Sequence, residues 1–215
     1  MKKSNILAHR GLWNCSSERN TRSAIFKALK KGFGIETDVR YDRKIGLVVS
    51  HDILKNEDNI LPFEELLIEY KKYNLNSKIA INIKSDGLHY ELSNILNKYN
   101  IDQYFLFDMS IPDLISGVKY NLNQFIRFSN YEDPLPYSKF TNGVWIDNFN
   151  SNLPSKKEIY NICKIWKSVV FVSPELHQRN HLNYWSYIKS FYKESQIETM
   201  ICTDYPLDAN TFFNL

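Results

Sequence analysis

Short β-branched or aromatic runs alternate with longer segments of helical period along nearly the whole chain. Few folds satisfy that alternation, because parallel neighbours need a crossover between them and a helix is the usual one. Eight strand-like runs fall at 4–11, 33–41, 78–85, 103–110, 124–130, 143–149, 168–176 and 198–205. Helices are expected at about 21–31, 62–73, 88–99, 111–120, 155–166 and 181–193. Eight parallel strands close a sheet on itself, so the first expectation is a compact α/β chain forming a (β/α)8 TIM barrel; an open doubly wound sheet is the alternative.

Two irregularities accompany the pattern. After the second strand, Asp42-Arg43-Lys44 turns into IGLVVS and then His51-Asp52, a hairpin-like excursion that returns His51 toward the strand's end. Between the fifth and sixth strands, YEDPLPYSKFT has two prolines and too little helical period for a crossover, so one helix is expected to be missing there. Asn20-Thr21 can cap the first helix, and Ser155 with Glu158 spells a capping box.

At 215 residues, with 43% hydrophobic and 24% charged residues, the chain can bury a full core, and residues 1–215 are read as a single domain. The formal charge of +3 comes from scattered lysines rather than a basic tail, which argues against nucleic acid as a partner. Cys15, Cys163 and Cys202 are too few and too far apart for a disulfide framework or a zinc site. No apolar run approaches a membrane span or a signal-peptide core, so a cytoplasmic location is expected.

In a barrel of this type the chemistry lies at the C-terminal ends of the strands. Polar residues occur at nearly every such end: His9 and Arg10, Glu36 and Asp38, His51 and Asp52, Asn82 and Lys84, Asp108, Arg127, Asp147, Glu175 and His177, and Asp204. Glu36 and Asp38 are two apart on one strand, so they share a face, which in a barrel is the interior. Two inward carboxylates repel unless a cation joins them, and oxygen donors favour Mg²⁺ or Ca²⁺ over zinc; an edge strand with solvated acids is the plainer reading. Lys84 either holds a phosphoryl oxygen or balances the carboxylates. His9 and His51 are the histidines best placed for proton transfer. His177 is read equally as a substrate contact or a solvated loop residue, while His89 and His181 are expected on the surface. Trp13, Tyr41 and Trp145 are candidates for lining a pocket, with core packing as the other reading.

In order and spacing these residues resemble the glycerophosphodiester phosphodiesterase family: HRG at 9–11, NT at 20–21, IETDV at 35–39, SHD at 50–52, IK at 83–84 and TDYP at 203–206. The resemblance spans the whole chain and implies the same eight-stranded barrel. It implies a phosphoric diester hydrolase, of the kind that serves lipid metabolism, acting with a divalent cation. Glu36 and Asp38 match its metal ligands, and His9 and His51 its acid/base pair. Arg10 matches a phosphate contact, Asp52 a residue supporting His51 or the metal, and Lys84 a phosphate or metal-site partner. In such enzymes a neighbouring hydroxyl of the substrate commonly attacks phosphorus, giving a cyclic phosphodiester that water then opens.

Two positions depart from the family pattern. Its Pro-Glu-Asn-Thr reads Glu18-Arg19-Asn20-Thr21 here, and its third acidic metal ligand falls on Asn82. Asparagine still offers a carbonyl oxygen but removes a negative charge, a place that Asp108 or Glu175 could take. The segments INIKSDG, FDMS, WIDNF and SPELHQR look like a divergent branch associated with surface or capsule polysaccharide synthesis. The expected activity is hydrolysis of a small glycerol-phosphate or sugar-phosphate diester. An accessory barrel that binds phosphorylated glycan without cleaving it, and a lyase that stops at the cyclic phosphate, are the alternatives. Substrate-side candidates are Arg10, Lys84, Asp52, Asp108, Glu175 and His177. The sequence is silent on oligomeric state.

Overall fold

The computed structural model describes residues 1–54, 59–73, 76–150, 154–195 and 197–214. In chain order its elements are β1 (Ile6–His9), α1 (Arg22–Lys30), β2 (Gly34–Asp42), β3 (Gly46–Val49), β4 (Leu61–Pro62), α2 (Phe63–Lys72), β5 (Ile79–Ile83) and α3 (His89–Lys98). There follow β6 (Tyr104–Phe107), α4 (Ile111–Gly117), β7 (Phe125–Phe128), β8 (Gly143–Ile146), α5 (Lys156–Ile165), β9 (Ser168–Val172), α6 (Leu182–Glu194), β10 (Glu198–Thr203) and α7 (Pro206–Asn214).

Parallel pairing runs β6–β5–β2–β1–β10–β9–β8–β7. Between the two ends of this order lies one isolated parallel bridge, Leu106 of β6 to Gln124 just before β7, with Leu106 N donating to Asn123 O at 2.8 Å. That seam is the thinnest part of the wall. The hairpin-like excursion is β3, antiparallel to the outer half of β2, and β3 pairs onward with the two-residue β4. Between β7 and β8 a 3₁₀ helix, Leu135–Phe140, stands where the crossover helix is missing, as the two prolines predict.

The alternation of the strands sorts side chains into two cores. Residues facing outward pack under the helices: Ile6, Ile35, Ile79, Ile81, Leu106, Val169, Phe171 and Ile201 meet the buried stripes of the helices, such as Ile25 and Leu29 of α1 and Leu66 and Leu67 of α2. Residues facing inward form a separate cluster of Leu7, Ala80, Phe105, Phe107, Phe125, Trp145, Val170, Val172, Met200 and Cys202. Phe105 stacks on Phe125 at 4.0 Å and Phe107 on Trp145 at 3.9 Å. The barrel is therefore plugged with aromatic side chains, and its open end lies above Phe107 and Trp145.

Caps match their chemistry. Thr21 accepts from Ala24 N at the start of α1, Ser155 and Glu158 form the reciprocal box of α5, and Ser110 caps α4. Helix α7 is not among the expected helices; Pro206 opens it and its buried Ala209 and Phe213 close the chain against the barrel. His89 and His181 also differ from expectation. His89 is 4% exposed, stacked on Tyr120 with Nδ1 3.4 Å from Asp113 Oδ1, because α3 turns this first residue inward toward Gly117. His181 is half-buried against Trp185 and Tyr205.

Candidate active site

Glu36 and Asp38 stand side by side on β2, facing into the barrel at 1% and 0% exposure. Register brings His9 of β1 level with Glu36, and Asn82 of β5 level with Asp38. Four of the candidates thus meet through strand pairing alone. Burial, and then the neighbouring Asp38, push the Glu36 carboxyl above the ordinary carboxylate range. Among the described residues no guanidinium or ammonium pairs with Glu36: Asn82 Nδ2 is 3.4 Å from its Oε1, and His9 Nε2 is 3.8 Å from its Oε2. Asp38 is balanced instead, with Arg10 Nε at 2.8 Å, Lys84 Nζ at 3.3 Å and Asn20 Nδ2 donating at 2.7 Å.

Asp204, just beyond β10, holds His9 from behind: its Oδ1 is 2.6 Å from His9 Nδ1, and its Oδ2 is 2.9 Å from Arg19 Nη2. The tautomer with the proton on Nδ1 satisfies this carboxylate and leaves Nε2 toward Glu36. Trp13 closes the circle, donating from Nε1 to His9 O at 2.9 Å while its ring carries the Arg19 guanidinium at 4.4 Å. Gly11 permits the approach of this loop to α1. Its φ is +94°, and a Cβ would come within 2.6 Å of the Ala24 backbone.

A cleft of about 230 Å³ opens over the aromatic plug, bounded by His9, Glu36, Asn82, Trp145, Asp147 and His177 among others. Asp108 sits on its rim in contact with Arg127 and 3.6 Å from Lys84 Nζ, and Arg127 also reaches toward Glu132. His177 Nε2 is 2.7 Å from Asp147 Oδ1 on the far wall. Arg10 and Arg19 border this cleft and also a second one, of about 420 Å³, that contains Ser50, His51 and Asp52. The two histidines named for proton transfer therefore lie in different clefts, on either side of Arg10. His51 is solvent-accessible; its Nδ1 is 2.9 Å from Asp52 Oδ1, and Arg40 Nε donates to its carbonyl oxygen at 3.0 Å. The bond to His51 holds the Asp52 carboxyl below its ordinary range.

Glu175 occupies a different place. It accepts from Ser173 Oγ, Thr203 Oγ1 and the Asp204 backbone N–H, so it ties the end of β9 to the end of β10 and fixes Asp204 rather than facing the cleft. Tyr41 is exposed on the outer half of β2, and of the three aromatic candidates Trp145 forms the cleft floor. Sequence alone marks Asp204 as a strand-end polar residue without a role, and Arg19 only as a departure from the family pattern. Asn20 reads as half of a cap, whereas its amide bridges Asp38 and Thr37. Their partners are remote in sequence, and only the TDYP motif hints at Asp204. Cys202 lies beneath the site with its thiol pushed well up by burial, which leaves it unreactive.

No family model and no curated protein sequence matches this chain. Solved structures do. A candidate glycerophosphodiester phosphodiesterase from Galdieria sulphuraria superposes with a TM-score of 0.79 at 19% identity, over 98% of each chain. An Oleispira antarctica phosphodiesterase in complex with the product sn-glycerol-3-phosphate gives 0.69 at 14% identity, over 98% of this chain and 97% of that one. A variant tryptophan synthase α-subunit from Pyrococcus furiosus gives 0.57 at 11% identity, over 99% and 95%. The chain has the TIM-barrel fold. Because that fold also serves the tryptophan synthase subunit, the reaction has to be argued from the residues at the barrel mouth.

The residues present suit a hard divalent cation. Glu36 Oε2 and Asn82 Oδ1 are buried oxygens without a hydrogen-bond partner among the described residues, beside the carboxylate of Asp38. Among the described residues no three His, Cys, Asp or Glu side chains converge as a metal cluster; the oxygens that a cation would meet here are those of Glu36, Asp38 and the Asn82 amide. No helix among the described residues is long and apolar enough to cross a membrane.

Proposed function

We propose that this chain is a metal-dependent phosphodiesterase of the glycerophosphodiester phosphodiesterase type, acting on a small glycerol-phosphate or sugar-phosphate diester. The observation that carries the reading is the pair of unpartnered buried oxygens of Glu36 and Asn82, set among His9, Arg10, Asp38 and Lys84 at the barrel mouth. Bare carboxylate and amide oxygens in a buried pocket are costly unless a cation uses them. The barrel's likeness to structures described as phosphodiesterases agrees with it.

In this reading Glu36, Asp38 and Asn82 hold Mg²⁺ or Ca²⁺, which when bound supplies charge stabilisation at the phosphoryl oxygens. Arg10 and Lys84 add positive charge beside the same oxygens. His9 and His51, in clefts on opposite sides of Arg10, suit a base that takes a proton on one side of phosphorus and an acid that delivers one to the departing alcohol on the other. Asp204 keeps the His9 ring in place, and Asp52 does the same for His51. Asp108 and His177 are assigned to the alcohol arm in the smaller cleft; Glu175 acts through Asp204.

The test is turnover of glycerophosphodiesters with Mg²⁺ or Ca²⁺, followed by chelation. His9→Ala and His51→Ala are expected to abolish turnover with little change in thermal unfolding, and normal turnover in either would reject the acid/base assignment. Phosphorus NMR of the product separates hydrolysis from a lyase that stops at the cyclic phosphate. Asn82 favours a second reading, an accessory barrel that binds phosphorylated glycan uncleaved. Ligand binding without product across several divalent metals would establish that reading instead.

A further inference from the structure

We propose that Arg19 is a substrate-binding residue, forming with Arg10 a ridge of two guanidiniums that holds the phosphoryl group between the two clefts. The inference rests on the phosphodiester reading above and adds a residue to it.

Arg19 is fixed before any ligand arrives. Trp13 supports the face of its guanidinium at 4.4 Å, and Asp204 takes one terminal nitrogen at 2.9 Å. Trp13 is itself pinned by its bond to His9 O. An arginine held by one face and one edge has already lost most of its rotamer freedom, so further contacts are made at little entropic cost. Its other terminal nitrogen has no partner among the described residues. Arg10 is arranged in the same way, anchored to Asp38 through Nε with both terminal nitrogens unpartnered among the described residues. The two side chains are 31% and 19% exposed, and both border both clefts. Backbone bonding keeps them together: Asn20 N donates to Arg10 O at 2.9 Å, which ties the residue after Arg19 to Arg10.

A phosphodiester has two non-bridging oxygens sharing one charge and two alcohol arms leaving phosphorus in different directions. Two guanidiniums on a wall shared by two clefts match both requirements, one arm entering each cleft. A residue serving only to steady Asp204 and His9 would need neither the open nitrogen nor a place in the second cleft.

Binding separates the two roles, because loss of positioning changes turnover and leaves the affinity for an uncleaved phosphate ester unchanged. Calorimetric titration of the full chain with sn-glycerol 3-phosphate, with Mg²⁺ present, is the measurement, and glycerol is the control. Arg19→Gln is expected to weaken binding about tenfold or more, the loss of one charge-assisted hydrogen bond, and Arg19→Lys to recover it only in part. Circular dichroism checks that both variants fold. Affinities within twofold of the parent chain in both variants, or a parent chain that binds glycerol 3-phosphate no better than glycerol, overturn the proposal. Arg19-dependent binding in a chain that hydrolyses no diester would instead reject the enzymatic reading and leave the ridge standing.

Discussion

His9 and Asp204, 195 residues apart in sequence, are joined at 2.6 Å between Nδ1 and Oδ1. Adjacent parallel strands β1 and β10 make the contact, and Glu175 secures it by accepting the Asp204 backbone N–H. The imidazole is thus oriented by the barrel wall and cannot rotate away from Glu36 without breaking a charge-assisted bond.

Removing that support should cost turnover more than fold. Asp204→Ala is expected to lower kcat about 100-fold or more, the range of general acid/base catalysis, since His9 loses its fixed ring orientation. Steady-state kinetics alongside a thermal melt checks this. An unchanged kcat would mean that His9 does not act through this pair.

Glu36 makes a prediction about pH. Burial and Asp38 raise its folded-state pKa, so the folded chain binds this proton more tightly than the unfolded chain. The stability linked to this group is fully present below the unfolded carboxylate range and is lost as pH rises through the folded value. With cations chelated, Glu36→Gln should therefore flatten the fall in stability that the parent chain shows as pH rises above the ordinary carboxylate range. The variant is expected to melt above the parent chain at the upper end of that rise. Melts across that rise in EDTA measure it, and a parallel fall in both proteins would contradict it.

The barrel is legible in the sequence because the alternation of side chains is a local property of each strand. Glu36 and Asp38 can be placed on one inward face from their spacing alone, and the prolines of YEDPLPYSKF foretell the missing helix. Ion pairing is not legible. That Arg10 and Lys84 both settle on Asp38 while Glu36 is left to Asn82 and His9 depends on side-chain reach across three strands. His89 misleads for a related reason: a histidine opening a helix reads as exposed, and only the packing of Tyr120 and Asp113 around it shows why it is buried. Helix α7 follows a proline after the last strand and has a weak apolar stripe, so periodicity does not announce it.

Gly11 should be intolerant of any side chain. Alanine there would need φ near +94° and would set its Cβ 2.6–2.8 Å from the Ala24 and Ile25 backbone at the start of α1. Backbone strain of this kind costs about 1–3 kcal/mol, and displacing the helix adds to it. Urea unfolding of Gly11→Ala should show a loss of roughly 2 kcal/mol or more, with activity falling as His9 and Arg10 move. A midpoint equal to the parent's would show that the loop relaxes freely.

Asn82→Asp tests the donor set directly. The Asn82 amide nitrogen is 3.4 Å from Glu36 Oε1, and its carbonyl oxygen has no hydrogen-bond partner among the described residues. A carboxylate at this position places a third acid beside Glu36 and Asp38, and like charges in a buried site destabilise one another. The cation-free variant should therefore melt below the parent chain. Adding Ca²⁺ or Mg²⁺ should reverse the order, because a third negative donor tightens cation binding and bound cation stabilises the fold by mass action. The quantity to measure is the rise in Tm on titrating each metal, which is expected to be larger in the variant and to set in at lower concentration. Equal rises in the two proteins would place residue 82 outside the cation's donor set.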